Sequence, residues 1–317
     1  MSLLGAKATA FAPASSGNLS VGFDLLGAAL CRIDGKELGD RVNVEFAQSD
    51  ELVNSGDYAH VCPQDPEQNL VWQAYRLFRR GLAEDTYPKV KMELVKSLPV
   101  GSGLGSSACS VVASLTALNR LFDFPYTDAA LLQLMGEVEA GASGSLHYDN
   151  VAPSYFGGLQ LMTKNTEQPV LALPNPSSWY LVVAFPGFSF PTKKAREILP
   201  ENYAKQEVIA NAQNLALFTA HLYRGEEALA ARAICDVVAE PYRGPLIEGF
   251  IKAKLALTQQ GALAVGISGA GPTLFAVTTQ LEQAQAFSEY LSQEYIQSSE
   301  GFVHICQVAE QGAKQLN

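Results

Sequence analysis

The sequence predicts an α+β fold in two domains, and three features indicate it. A half-buried strand over residues 89–94 runs into a glycine-rich loop, and a long apolar helix follows that loop. The second half reads as a strand, helices, two strands, a helix and a strand, the order of a split βαβ unit. Between the halves, residues 163–178 are polar and rich in proline. We therefore predict one domain at residues 1–165 and another at 166–317.

The first half alternates polar loops with apolar segments. Residues 13–24 form a polar, glycine-containing loop, and the apolar segment Leu25–Leu30 follows it. Asn69 precedes an apolar stretch of helical spacing, a position from which an asparagine side chain caps a helix. A further amphipathic stretch predicts a helix from Thr127 to Gly141.

The remaining elements follow from the same periodicities. The predicted strands are Tyr155–Met162, Trp179–Phe185, Ala262–Ile267, Leu274–Val277 and Phe302–Cys306. The predicted helices are Asn211–Tyr223, Glu226–Ala239, Leu246–Thr258 and Leu281–Glu294. The second half of the chain is therefore expected to form an α+β domain of its own.

Composition excludes several classes of function. The formal net charge is −10 and no basic block occurs, which argues against nucleic acid or an anionic membrane as a partner. The five cysteines are odd in number and contain no C-x-x-C, so we expect a reducing, cytoplasmic location. The four histidines show no metal-ligand spacing, and no apolar run is long enough to span a membrane.

The loop at residues 98–108 has the composition of an anion-binding site. Gly101, Gly103 and Gly105 alternate with small residues, and two serines open the following helix. Glycine lets the backbone approach a ligand closely, and the first amides of a helix lack intrahelical partners, so together they suit a phosphate. It is not a Walker loop, because the lysine is missing, nor a dinucleotide loop, because the third glycine comes one residue early. The alternative is a tight turn built for packing.

Several polar residues occur where local structure does not require them. Glu139 lies near the C-terminus of a predicted helix, where an acid opposes the helix dipole, so it is a candidate to hold a cation. His147 and Asp149 cluster in a loop of small residues. Arg196 follows two lysines at a predicted helix start, and Arg243 lies in a rigid proline–glycine frame. For each, an ordinary structural or solvated role is the alternative.

Three segments together carry a resemblance to a known family. They are Pro13-Ala14-Ser15-Ser16-Gly17-Asn18-Leu19, Pro99 to Ser107 in the glycine loop, and Gly266-Ile267-Ser268-Gly269-Ala270-Gly271-Pro272-Thr273. In this order they resemble the signature motifs of the galactokinase–homoserine kinase–mevalonate kinase–phosphomevalonate kinase (GHMP kinase) superfamily. Residues 147–153 and 240–243 are similar to its homoserine kinase branch, of the proteobacterial kind.

The resemblance implies a fold and an activity. The fold would pair an N-terminal domain like ribosomal protein S5 domain 2, which binds ATP, with a ferredoxin-like C-terminal domain. The activity would be ATP-dependent phosphorylation of the L-homoserine hydroxyl, a step of threonine biosynthesis. Family members are commonly dimers, so a homodimer is expected.

The resemblance also implies roles for individual residues. Glu139 and either Ser106 or Ser107 would hold Mg²⁺, for which hard oxygen ligands are suitable. The implied ATP contacts are Asn69, Pro99, Val100, Gly101, Ser102, Gly103, Leu104, Gly105, Ser106 and Ser107. The implied homoserine contacts are Asn18, Asp24, His147, Thr192, Arg196 and Arg243.

Charge complementarity supports these substrate contacts. Two arginines suit a carboxylate, and Asp24 suits an ammonium or a hydroxyl. Asp149 is either a catalytic base or a structural hydrogen-bond acceptor. Two other functions stay open: a kinase of the same fold acting on another small alcohol, such as a mevalonate-like acid, and a non-catalytic ATP-binding regulator.

Overall fold

The protein is described here from a computed structural model that covers residues 3–83, 87–143, 146–163 and 168–316, without the side chains of residues 142, 143 and 192. Its strands are β1 (Lys7–Pro13), β2 (Ser15–Gly17), β3 (Leu26–Arg32), β4 (Gly39–Ala47), β5 (Glu51–Ser55), β6 (Lys89–Val95), β7 (Leu159–Met162), β8 (Val170–Leu173), β9 (Tyr180–Phe185), β10 (Ala264–Ile267), β11 (Leu274–Thr278), β12 (Phe302–Val308) and β13 (Lys314–Leu316). Its helices are α1 (Leu70–Arg80), α2 (Ser106–Leu121), α3 (Asp128–Ser143), α4 (Val151–Phe156), α5 (Thr192–Glu197), α6 (Lys205–Tyr223), α7 (Glu227–Arg232), α8 (Glu240–Arg243), α9 (Phe250–Gln259) and α10 (Leu281–Glu294). The predicted α+β class is confirmed.

The first sheet has the strand order β13-β1-β4-β6-β5 and carries the strand that precedes the glycine loop. Strand β6 pairs antiparallel with β4, with Val44 opposite Met92. Val90, Met92 and Leu94 are buried while Lys89 and Lys91 are exposed, which confirms the predicted alternation. Strand β5 runs parallel to β6 at the edge of the sheet.

The second sheet joins strands from both halves of the sequence. Its order is β10-β11-β9-β12-β3-β7-β8, with β2 paired to β3. Strand β12 pairs antiparallel with β9 on one side and with β3 on the other, where Gln307 lies opposite Cys31. The predicted domain boundary at residue 165 lies outside the described residues and stays a prediction.

Helix α2 occupies the centre of the first half. It packs on β1 and β4 on one side and on α1 and α3 on the other. Every residue from Ala108 to Asn119 is buried, because small and apolar side chains cover the whole circumference of the helix. The helix therefore carries the glycine loop on a rigid, fully packed support.

Two predicted elements, one in each half of the chain, are wrong in detail. The predicted strand Tyr155–Met162 is helix α4 as far as Phe156, and only Leu159–Met162 is a strand. Pro153 lies in the first turn of α4, where its missing N–H is tolerated, and Gly157 ends the helix at φ +81°. The predicted helix Glu226–Ala239 covers only α7, because Asp236 caps the amides of residues 238–240 and opens α8 instead.

The core is divided into a large cluster and a smaller one. The smaller cluster lies between the second sheet and the C-terminal helices α9 and α10, with Phe250, Leu257, Phe287 and Leu291 among its members. In the described parts of the chain, no helix is both long enough and apolar enough to cross a membrane.

Candidate active site

The three motif segments meet around one cavity of about 770 Å³. Its walls come from the glycine loop, the C-terminal half of α3, the loop before α4 and the segment around α5. The predicted site residues that line it are Asn18, Asn69, Val100, Gly101, Ser102, Gly103, Gly105, Ser106, Ser107, Glu139, His147, Asp149, Arg196 and Arg243. A cavity of this size is typical of a small-molecule site.

The glycine loop lines the cavity along most of its length, and between Val100 and Ser107 Leu104 is the residue that does not. The glycines at 101, 103 and 105 are partly exposed there, whereas Ser102 and Leu104 are fully buried. All three glycines have positive φ, between +63° and +84°, a conformation that other residues rarely adopt. A Cβ on Gly103 would lie 2.4 Å from the carbonyl oxygen of Ser268, so a side chain is excluded there. The alternative of a turn built only for packing does not explain why the glycines line a cavity.

The loop ends at the N-terminus of α2. Gly105 is the N-cap, and no side chain of the described residues caps the first amides of this helix. These amides, together with the helix dipole, form a site that suits a phosphate oxygen.

The other two motifs hold the glycine loop in place. The Ser268 hydroxyl donates a 2.8 Å hydrogen bond to the Gly103 carbonyl oxygen, and the amide of Thr273 donates to the Ser102 carbonyl oxygen at 3.1 Å. The Asn18 side-chain amide donates to the Gly269 carbonyl oxygen at 3.1 Å. The segments at residues 13–19 and 266–273 therefore act as a backing for the loop.

A hydroxyl and a carboxylate meet at the start of α2. Ser107 Oγ donates to Glu139 Oε1 at 2.5 Å, and both residues line the cavity. Burial raises the pKa of Glu139 to about 7, against the opposing effects of the Ser107 hydroxyl and the Lys96 ammonium. Both groups offer hard oxygen atoms beside the phosphate-binding amides, so they fit Mg²⁺ with phosphate and water as the other ligands. In the described residues, no cluster of three or more His, Cys, Asp or Glu side chains could hold a metal by itself.

Ser106 has a different environment from Ser107. Its hydroxyl is buried, accepts a 2.6 Å hydrogen bond from Lys96 Nζ and donates to the Leu98 carbonyl oxygen at 3.2 Å. Of the two serines that the sequence left open, Ser107 is therefore the one placed beside Glu139.

The opposite end of the cavity is rich in charged groups. Arg196 makes a bidentate ion pair with Asp24, with Nη2–Oδ1 and Nη1–Oδ2 distances of 2.7 and 3.1 Å. His147 Nδ1 lies 3.5 Å from Asp24 Oδ2, and burial lowers the pKa of this histidine. Asp24 has φ +57°, and its amide donates to Asn18 Oδ1 at 2.8 Å. Asn18 therefore positions Asp24 as well as the loop behind it.

Arg243 is more deeply buried than Arg196. Its Nε and Nη1 atoms donate to the carbonyl oxygens of Ala195 and Gly269, at 2.9 and 3.2 Å, and no carboxylate of the described residues forms an ion pair with it. Burial lowers the pKa of this guanidinium. Both arginines pack against the ring of Phe23, with their Cζ atoms 5.7 and 5.5 Å from its centroid.

Asp149 lies between the two ends of the cavity. Its side chain is buried beside Gly17, with Asn150 Nδ2 at 3.5 Å from Oδ2. Burial, with a contribution from the charge of Asp24, raises the pKa of Asp149 to about 7. A carboxyl group of this kind exchanges its proton near neutral pH.

The predicted site residues not yet described differ in how they relate to the cavity. Asn69 caps α1, as predicted, by accepting from the Val71 amide at 3.0 Å, and it also lines the cavity. Pro99 and Leu104 are buried and do not line it, and Asp24 lies behind the lining residue Arg196. The side chain of Thr192 lies outside the part of the chain that the structure describes.

Sequence reasoning missed Lys96, Asp40 and Phe23. Lys96 is buried below the glycine loop and pairs with Asp40 from strand β4. The signal for Lys96 was present, because residue 96 continues the inward-facing series of strand β6, where an apolar residue is expected. No local signal distinguished Phe23 or Asp40.

Comparisons with known proteins identify the family of this fold. The family described as GHMP kinases N terminal domain matches residues 69–158, and GHMP kinases C terminal matches residues 219–297. A crystal structure of homoserine kinase from Cytophaga hutchinsonii is 33% identical, covers 98% of this chain and 97% of its own, and superposes with a TM-score of 0.87.

More distant structures share the fold. A putative homoserine kinase from Listeria monocytogenes is 21% identical, with coverage of 98% and 100% and a TM-score of 0.73. The L. major mevalonate kinase, solved with R-mevalonate, is 16% identical, with coverage of 95% and 96% and a TM-score of 0.70.

The fold and the family matches thus define a phosphotransferase of two-domain architecture. The chain belongs to the GHMP kinase family.

Proposed function

We propose that this kinase transfers the γ-phosphoryl group of ATP to the side-chain hydroxyl of L-homoserine, yielding O-phospho-L-homoserine for threonine biosynthesis. The proposal is supported by the 33% identity to a homoserine kinase over nearly the whole chain. The observation that carries it is the charge pattern at the end of the cavity away from Glu139.

That pattern is complementary to a zwitterion. Arg196 and Asp24 neutralise each other across a pair of hydrogen bonds, and Arg243 adds a buried cation nearby. A ligand that separates Arg196 from Asp24 must supply an anion for one and a cation for the other, or leave a charge unpaired. An α-amino acid supplies both through its carboxylate and ammonium groups. Homoserine also presents a hydroxyl on a short, flexible side chain.

The residues at the other end fit the phosphate chemistry. The amides at the start of α2 and the glycine loop would bind the phosphates of ATP, and Ser107 with Glu139 would hold Mg²⁺. Bound Mg²⁺ would supply neutralisation of charge on the transferred phosphoryl group. Ser107 and Glu139 fix the position of that charge, while Arg196, Arg243 and Asp24 orient the acceptor hydroxyl, because alignment contributes a large share of catalysis in phosphoryl transfer.

Two roles are open to Asp149. As a base it would accept the proton of the homoserine hydroxyl, a role for which a pKa of about 7 is well suited. As a structural acceptor it would only fix the loop before α4, and the hydroxyl proton would pass to the phosphate. The Asp149→Asn variant distinguishes them: loss of turnover with unchanged binding of both substrates indicates the base.

An assay of ADP formation tests the proposed substrate. At saturating MgATP, L-homoserine should be turned over well above D-homoserine, L-serine and mevalonate, and phosphorus NMR should identify O-phosphohomoserine. Turnover of mevalonate with none of homoserine would reject the proposal in favour of the alternative alcohol. Binding of ATP without phosphate transfer to any alcohol would favour the non-catalytic regulator.

The location and assembly of the protein stay proposals. The five cysteines form no disulfide in the structure, which is compatible with a reducing cytoplasm. We expect a homodimer, and sedimentation analysis of the purified protein tests it.

A further inference from the structure

A buried ion pair lies directly beneath the phosphate-binding loop. The side chains of Lys96 and Asp40 are 3% and 0% exposed, and their Nζ–Oδ2 distance is 2.5 Å. Removing two charges from water is costly, and apolar residues of similar volume often stabilise a fold equally well. The stability of the fold alone therefore does not account for this pair.

The position of Lys96 strengthens that argument. Residues 90, 92 and 94 of strand β6 face the core and are apolar. Residue 96 continues this series, so the pleat of the strand favours an apolar side chain there. Lysine breaks the pattern at the residue where the chain leaves the strand and approaches the loop.

The hydrogen bonds of the pair connect the two ends of the loop. Asp40 Oδ1 accepts from the amides of Ser97 and Leu98, at 2.8 and 3.1 Å, where the chain enters the loop. Lys96 Nζ donates to the carbonyl oxygen and the hydroxyl of Ser106, at 3.0 and 2.6 Å, where the chain leaves it. The ion pair therefore closes a ring of hydrogen bonds that begins at residue 97 and ends at residue 106.

One further contact provides an internal comparison. Ser110, one turn further along α2, also accepts from Lys96 Nζ at 3.1 Å and donates to Asp40 Oδ2 at 2.6 Å. Its bonds to the pair resemble those of Ser106 and it lines the same cavity, as Lys96 does, but it lies outside the loop. Of the two hydroxyls, only that of Ser106 also bonds the loop entrance, through the Leu98 carbonyl oxygen at 3.2 Å.

We propose that Lys96 and Asp40 are positioning residues for phosphate binding: together they hold the entrance and exit of the glycine loop at the separation that MgATP requires. Lys96 acts through Ser106, the neighbour of Ser107, and Asp40 acts through the amides at the loop entrance. The inference rests on the proposed binding of ATP by this loop, but not on the identity of the alcohol.

The test measures the affinity for MgATP by calorimetry, without any alcohol, together with Tm. In the double variant Lys96→Met/Asp40→Asn both charges are removed, while the asparagine oxygen can still accept from the loop amides. We expect a Tm within a few degrees of the wild type and a Kd for MgATP raised about tenfold or more, the loss expected for one charge-assisted hydrogen bond. The control Lys91→Met, an exposed lysine of the same strand, should bind normally.

The two serines provide a second measurement that does not disturb the charges. Ser106→Ala should weaken MgATP binding severalfold, whereas Ser110→Ala should leave it within twofold. A stable double variant with normal MgATP affinity would overturn the proposal. If the double variant does not fold, equal effects of the two serine substitutions would overturn it instead. A wild-type protein that binds no MgATP would contradict the assignment of the loop itself rather than the role of the pair.

Discussion

An ion pair lies at each end of the cavity, and the two pairs differ in burial. Lys96 and Arg196 line the cavity, and their partners Asp40 and Asp24 lie behind them. Lys96 and Asp40, below the phosphate loop, are 3% and 0% exposed, whereas Arg196 and Asp24, at the other end, are 28% and 26% exposed. The first pair is bonded to backbone and hydroxyl groups of the loop. In the second pair, the side chains of Arg196 and Asp24 bond each other. Their other contacts are His147, beside Asp24, and the ring of Phe23, beside Arg196.

The difference indicates two kinds of electrostatic design. Breaking a buried pair costs about 3–5 kcal/mol, so the phosphate end is expected to keep one arrangement throughout the reaction. Arg196 and Asp24 keep partial contact with water, so separating them costs less, and a zwitterionic substrate that supplies a partner for each can take their place. We therefore expect changes at the phosphate end to affect MgATP and changes at the other end to affect the amino acid.

The largest effect is expected for Glu139→Gln. Loss of the carboxylate beside Ser107 should lower kcat by about 10²–10³-fold and weaken the dependence on Mg²⁺, because charge neutralisation at the phosphates is lost. Steady-state kinetics over a Mg²⁺ titration measures this. The control Glu137→Gln changes an exposed acid of the same helix that accepts from Gln133. Unchanged Mg²⁺ kinetics in the Glu139 variant would remove it from the metal site.

Arg243→Ala should mainly affect the amino acid. Loss of a buried, charge-assisted contact to the substrate carboxylate should weaken homoserine binding by about 2–5 kcal/mol, with MgATP affinity nearly unchanged. Calorimetric titration with each ligand separates the two affinities, and Arg232→Ala, an exposed arginine at the end of α7, is the control. Equal losses for both ligands would show that the hydrogen bonds of Arg243 to Ala195 and Gly269 are its main role.

Asp24→Asn should reduce the preference for an amino acid over a hydroxy acid, rather than abolish turnover. Without the carboxylate, a substrate ammonium loses its partner, so the preference for homoserine over a hydroxy acid of similar size should fall about tenfold, the equivalent of about 1.4 kcal/mol. The ratio of kcat/KM values for the two alcohols measures it, with Asp34→Asn, an exposed acid outside the cavity, as the control. An unchanged ratio would mean that Asp24 does not recognise the ammonium.

Asp149→Asn should reduce the pH dependence of the free energy of unfolding. The pKa of Asp149 is raised to about 7 by burial, above its value in the unfolded chain, so the folded protein binds the additional proton. Its contribution to stability is thus complete at low pH and is lost as the pH rises towards 7. We expect the free energy of unfolding to fall by about 2–3 kcal/mol less in the variant than in the wild type between pH 5 and pH 8. Thermal unfolding at both pH values checks this, and parallel curves would contradict it.

Local sequence patterns predicted much of the secondary structure around the glycine loop. The alternation in strand β6, the positive-φ glycines and the cap at Asn69 depend on interactions within a few residues, so the sequence indicates them directly. The error at Tyr155–Met162 has a local cause as well, because aromatic residues after a proline resemble a strand when tertiary contacts are ignored. Strands β1 and β4 were not predicted, although they support helix α2.

The sequence by itself determined the α+β class, the positive-φ glycine loop before helix α2 and the residue types of the candidate site, because these follow from short-range periodicity and backbone chemistry. Only the tertiary structure decided which charges meet. Asp24 and Arg196 are 172 residues apart, and Lys96 meets Asp40 across 56 residues, so no local pattern could pair them. Those partnerships follow from sheet register and helix packing, which bring distant segments together and exclude water from some of the charges but not from others.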